Sequence, residues 1–187
     1  DILVNNAGIC RVVSFEEMTP ADFKQVVDVN FYGTVNVCRS AWPHMKRSGY
    51  GRIVNTSSGS MTGLPWQTAY AAAKGAVFSF TRALASDGLE FGIKANSIVP
   101  GALTRMVYAV QDEKTSSFIA NGEGMKPELV SPTVAFLAHE IVPFTGECLE
   151  SMGGRVGRFY LARTEGFSDP EMTPETVAAR LGDIMAG

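Results

Sequence analysis

Cysteine and histidine are scarce in this chain, and neither is placed to organise it. The three cysteines in 187 residues, Cys10, Cys38 and Cys148, are odd in number and widely spaced. That pattern suits a reducing cytoplasm, the expected compartment, better than a disulfide framework. The two histidines, His44 and His139, lack metal-site spacing, so no metal is expected; one reads as exposed and one as half-buried. No apolar run approaches the roughly 20 residues that span a bilayer, and no basic-then-apolar leader opens the sequence. Neither sign of charge is in great excess. A net charge of −3 gives no reason to expect a nucleic-acid partner or an anionic membrane. Internal repeats, low-complexity tracts and interdomain linkers are absent. What remains is an ordinary globular composition, 45% hydrophobic, at a length sufficient for one domain with a substantial core.

Strand and helix patterns alternate along the chain. Ile2 to Val4 read as a buried parallel strand, and Asn5-Asn6-Ala7-Gly8 follow at its end. Such a strand seldom opens a domain, so further chain is expected upstream of Asp1. Thr19 as N-cap and Pro20 at the first helical position start a long helix. Periodic apolar residues from Phe23 to Met45 carry it to about Lys46. Arg52 to Thr56 form a second strand, a helix around Tyr70 runs to about Asp87, and Lys94 to Val99 form a third strand ending at Pro100-Gly101. Residues 104–130 are polar and mixed, more like a mobile flap than a core element. Ser131 to His139 read as a helix and Glu147 to Glu150 as a last short strand. Strands alternating with long helices imply a parallel sheet with helical crossovers, an α/β fold.

Tyr70 and Lys74 stand four apart in Tyr-Ala-Ala-Ala-Lys, within a stretch of high helix propensity. On a helix they share a face, and a nearby cation favours a phenolate, so Tyr70 is a candidate proton donor or acceptor. Alone the spacing is unspecific, because any helix can contain it. In a parallel sheet, however, ligands sit at the carboxyl ends of the strands. Asn5, Asn6 and Gly8 follow the first strand, Ser57 and Ser58 the second, and Pro100, Gly101 and Thr104 the third. Three such clusters at corresponding ends, beside Tyr70 and Lys74, point to one site.

The motifs Asp-Ile-Leu-Val-Asn-Asn-Ala-Gly, Asp-Val-Asn-Phe-Tyr-Gly-Thr, Ile-Val-Asn-Thr-Ser-Ser-Gly-Ser, Tyr-Ala-Ala-Ala-Lys and Val-Pro-Gly-Ala-Leu-Thr-Arg-Met occur in the order of the short-chain dehydrogenase/reductase family, which the chain resembles over residues 1 to about 154. The resemblance implies a Rossmann-type doubly wound parallel sheet, here without its first three strands. It implies NAD or NADP as cofactor, a carbonyl/alcohol pair as substrate, and a homodimer or homotetramer. Tyr70 would be the general acid/base. Lys74 would lower the pKa of Tyr70 and hold the nicotinamide ribose, and Asn30 would hold a water linking Lys74 to solvent. The family's serine, beside Tyr70, would bind the substrate oxygen. Counting back 13 residues from Tyr70 gives Ser57, whereas counting from the strand gives Ser58; strand register favours Ser58, with Ser57 the alternative and the loop Gly59 to Trp66 one residue short. Asn6, Ala7 and Gly8 would line the adenosine side of the cofactor. Thr56, Tyr70, Lys74, Val99, Pro100, Gly101 and Thr104 would complete its contacts. No Gly-x-x-x-Gly-x-Gly phosphate loop occurs in the chain, which raises the possibility of a fragment unable to bind cofactor.

Residues 155–187 extend past the family's usual end and are expected to pack on the same domain. They resemble the segment that closes the hydroxyacyl-CoA dehydrogenase domain of a multifunctional β-oxidation enzyme. That implies a 3-hydroxyacyl thioester substrate, with Arg155, Arg158 and Arg163 either meeting a CoA phosphate or forming a solvated basic face. Cys10, after Asn-Asn-Ala-Gly-Ile, reads as a small buried thiol rather than a cleft residue. Two other classes remain: an epimerase or dehydratase, which should carry a longer C-terminal substrate domain, and a nucleotide-sensing relative, which should have lost members of the Asn-Ser-Tyr-Lys set.

Overall fold

The computed structural model describes residues 1–108 and 124–186. Five strands form one sheet in sequence order: β1 (Ile2–Asn5), β2 (Gly51–Thr56), β3 (Ile93–Gly101), β4 (Cys148–Met152) and β5 (Arg155–Phe159). The first four run parallel, with Asn5 opposite Asn55 and Thr56 opposite Ile98. β5 returns antiparallel beside β4. This strand lies where the sequence suggested only an extension. The tight turn at Gly153 and Gly154, both with positive φ, lets the chain reverse directly onto its neighbour.

The first long helix begins as expected: Thr19 caps it by accepting from the Asp22 amide, and α1 spans Pro20–Val27. It then widens into a π turn, Asp28–Tyr32, before continuing as α2 (Gly33–Ser48). α3 (Thr68–Gly88) carries Tyr70 and Lys74. On one face of the sheet, α2 and α3 bury Cys38, Met45, Ala85 and the inward residues Ile53, Ile93 and Ala95. On the other, α5 (Ser131–Ala138) covers Val54 and Ile98 with Leu137 and Ala138. A short helix α4 (Arg105–Tyr108) follows β3, so the expected flap over 104–130 begins in helix; residues 109–123 of it lie outside the described residues. Both histidines are exposed, and no metal-binding cluster occurs among the described residues.

Candidate active site

The residues at the strand ends divide between scaffold and site. Asn5 turns inward, its amide donating to Asn55 Oδ1 at 2.8 Å, while Asn55 donates to Thr81 Oγ1 at 2.9 Å. This buried network ties β1 and β2 to α3 beneath the site, so Asn5 is structural. Asn6, the next residue, faces the opposite way and lines a cavity of about 1230 Å³ together with Ala7, Gly8, Thr56, Pro100 and Thr104. Val99 is buried against Phe78 and Cys148, and Gly101 packs on Met152; neither lines the cavity.

Tyr70, Lys74, Ser57 and Ser58 also line it. Ser57 is buried and donates to the main-chain oxygen of Lys74 at 2.9 Å, fastening the end of β2 to α3. Ser58 points the other way, as alternation along an extended chain requires, and its hydroxyl donates to Ser60 Oγ at 3.2 Å. Lys74 is only 3% exposed, its ammonium donating to Thr56 O at 2.8 Å and lying 5.6 Å from the centre of the Tyr70 ring. Asn30 is fully buried in the π turn. Its Nδ2 donates to Val26 O and Ile9 O, both at 2.8 Å, which supplies the local partners a mid-helix asparagine needs. Its Oδ1 has no partner among the described residues. Gly8 explains the close approach of these groups: a Cβ there would stand 2.5 Å from Asn30 Oδ1 and 3.5 Å from Lys74 Nζ.

Burial governs the site's electrostatics. Desolvation pushes the Tyr70 phenol up to about 12, with Ser58 pulling it part of the way back and Cys10 opposing. Lys74, expected to depress it, is itself driven down to about 8 by desolvation, with its ammonium over the Tyr70 ring. Cys10 lines the cavity instead of hiding in the core, its thiol raised to about 11 by burial despite Lys74 nearby. Sequence reasoning also passed over Ser60 and Gln67, which hydrogen-bond to each other at 2.8 Å beside Ser58, and Trp66, whose φ of 60° is rare for a bulky residue. The sequence marked a loop at Gly59 to Trp66 but not which side chains it would aim inward.

A family model described as short chain dehydrogenase matches residues 1–115. The chain belongs to the short chain dehydrogenase family. It is 36% identical to a peroxisomal hydratase-dehydrogenase-epimerase of Neurospora crassa over 98% of its own length, but spans only 20% of that protein. It is 40% identical to an acetoacetyl-CoA reductase of Rhizobium meliloti, with 83% of this chain and 67% of that one covered. The structure of full-length peroxisomal multifunctional enzyme type 2 from Drosophila melanogaster superposes with a TM-score of 0.82 at 31% identity, covering 97% of this chain and 33% of the other. The likeness therefore includes the tail beyond Gly154, and the multifunctional relatives are three to five times as long as the stretch they share with it.

Members of this family bind a nicotinamide dinucleotide, and the residues present fit its nicotinamide half. An ammonium has three donors, and Thr56 O is the one partner described for Lys74 Nζ; the others suit the vicinal hydroxyls of a ribose. Gly8 lines the same cavity, and its missing side chain lets Asn30 and Lys74 pack closely behind it. The pyrophosphate half needs a glycine-rich loop that this sequence does not contain.

Proposed function

We propose that this chain is the catalytic part of an NAD(P)-dependent oxidoreductase acting on a secondary alcohol or its ketone, with a 3-hydroxyacyl or 3-oxoacyl thioester as substrate. The observation that carries the reading is that Tyr70, Lys74, Ser58 and Gly8 line one cavity, with the buried Asn30 Oδ1 packed directly against Gly8. The bound nicotinamide supplies the hydride acceptor or donor. Tyr70 moves the proton of the substrate oxygen, and Ser58 donates a hydrogen bond to that oxygen as negative charge grows on it. With its pKa near 12 the phenol is protonated at neutral pH, the state that donates to a ketone. Alcohol oxidation needs the phenolate, which a bound ligand would favour by bringing the Lys74 charge and the phenolic oxygen into one hydrogen-bonded chain. Asn30 Oδ1 would carry that chain on toward solvent.

The thioester reading rests on relatives acting on CoA esters by name and on an apolar wall of Leu64, Trp66, Met106 and Val107 along the cavity. It does not rest on Arg155 or Arg158, because Arg155 pairs with Glu150 at 3.1 Å and Arg158 is held bidentately by Glu147 at 2.7 and 2.8 Å. In the full-length protein, kcat/KM for a 3-hydroxyacyl-CoA is expected to exceed that for the free acid or a simple secondary alcohol. Equal values remove the thioester. Tyr70→Phe should lower kcat by roughly 10²- to 10⁴-fold with the melting temperature nearly unchanged; turnover retained within about twofold would end the acid/base assignment.

A further inference from the structure

Trp66 sits in a backbone conformation that suits it badly. Its φ of 60° is the one positive value at a non-glycine residue among the described residues. In that left-handed region a Cβ crowds the following carbonyl oxygen. Three residues earlier the same loop meets a positive φ with a glycine, Gly63 at 97°. Neighbouring bonds hold Trp66 in place: its carbonyl oxygen accepts from the Val13 N–H at 2.9 Å, and Gln67 beside it accepts from the Ser60 hydroxyl at 2.8 Å. Burial does not offset the conformation, since Trp66 remains 51% exposed. Nor does the indole stand alone. Leu64, Pro65 and Trp66 are consecutive and exposed, and all three line the cavity that holds Ser58 and Tyr70. Met106 and Val107 of α4 add apolar atoms to the same cavity. A contiguous apolar rim left open to water at such a cavity is a surface suited to a ligand.

We propose that Trp66 is a specificity-determining residue whose indole receives the apolar chain that the substrate carries beyond its reacting carbon. Glycine would fit this backbone without strain but would offer the ligand no surface. The strained conformation is the cost of presenting an indole at the cavity rim. Leu64, Pro65 and Trp66 together carry a single polar side-chain group, the indole N–H. A sugar or phosphate would find little there to bond to, whereas an alkyl chain would leave water on contact. The proposal rests on the oxidoreductase reading and deepens it by naming the substrate class, a secondary alcohol or ketone bearing an alkyl chain. It does not require the thioester.

Two readouts in the full-length protein test it. The first compares Trp66→Gly with Trp66→Ala, both of which remove the indole. Alanine is ordinarily the more stable of the two, but here glycine should melt at the higher temperature, because only glycine takes this φ without crowding. Alanine melting higher would show an unstrained backbone and overturn the proposal. The second readout is kcat/KM along two series of increasing chain length, 3-hydroxyacyl-CoA thioesters and simple secondary alcohols. In the parent it should rise with each added methylene, by at most about fourfold. Trp66→Gly should flatten the rise, losing about tenfold on the longest chains. A parent indifferent to chain length overturns the proposal, and so does a loss equal at every length, which would place the indole against a part common to all members. If the alcohols alone show the rise and its flattening, the thioester reading fails and the role of Trp66 stands. If neither series turns over, the oxidoreductase reading fails and binding decides for Trp66. The longer compounds should then quench tryptophan fluorescence in the parent more than in Trp66→Gly, and equal quenching overturns the proposal.

Discussion

Lys74 is a cation held almost entirely out of water, and its protonation is the sharpest residue-scale handle on this site. Its ordinary value of 10.5 falls to about 8 in the fold because desolvation penalises the charged form. Between those two values the unfolded chain binds more protons than the folded one, so this group makes the fold gain stability as pH rises from about 8 to 10.5. Below that window the full cost of the buried charge is present. Lys74→Met removes it, and we expect the variant to be more stable than the parent at pH 7, by on the order of 2–3 kcal/mol. The difference should shrink to nothing near pH 10.5, as denaturant melts at a series of pH values would record. A constant difference across pH would mean that packing, not charge, separates the two proteins. The pair Tyr70 and Lys74 was legible from its spacing alone, but the sign of the Tyr70 shift was not. Spacing shows which groups are neighbours; it does not show how much water has been removed from around them.

At the scale of elements, the π turn matters most to the site. An asparagine on a regular helix would compete with the backbone; one extra residue in the turn instead lets the Asn30 amide reach both Val26 O and Ile9 O. That binds the helix to the segment after β1, and Gly8 sits in the remaining gap. Gly8→Ala puts a Cβ within 2.5 Å of an oxygen that cannot swing away without breaking two hydrogen bonds. We expect a loss of about 1–3 kcal/mol in stability together with weaker nicotinamide-cofactor binding, measured by melting and by fluorescence titration. Unchanged values for both would show that the helix gives way easily. The strands, their parallel order and the caps were readable from apolar runs and turn residues, and strand register told that Ser57 and Ser58 would face opposite ways. The π turn was not, since it answers a tertiary demand of Ile9. Nor was β5: Arg155 and Arg158, three apart, fall on opposite faces of a strand whose identity comes from pairing with β4 rather than from an alternating pattern.

For the whole molecule, the sheet ends on one side at β1, where Ile2 is 60% and Val4 43% exposed. Apolar side chains beside an unpaired strand edge form a template for association. The 187-residue chain on its own is therefore expected to elute as species larger than one copy, and Ile2→Lys to shift it toward the monomer in light scattering. A monodisperse monomer with cooperative melting would show that the edge is harmless. At the opposite side of the cavity, a loop is fastened at each end by separate means. The Ser57 hydroxyl locks the end of β2 onto the Lys74 carbonyl, and Ala71 N–H, donating to Gln67 O at 2.7 Å, locks the first turn of α3. Neither fastening depends on how many residues lie between. Over generations such a loop can lose or gain a residue, changing what the cleft admits, while the positions of Ser58 and Tyr70 are inherited unaltered.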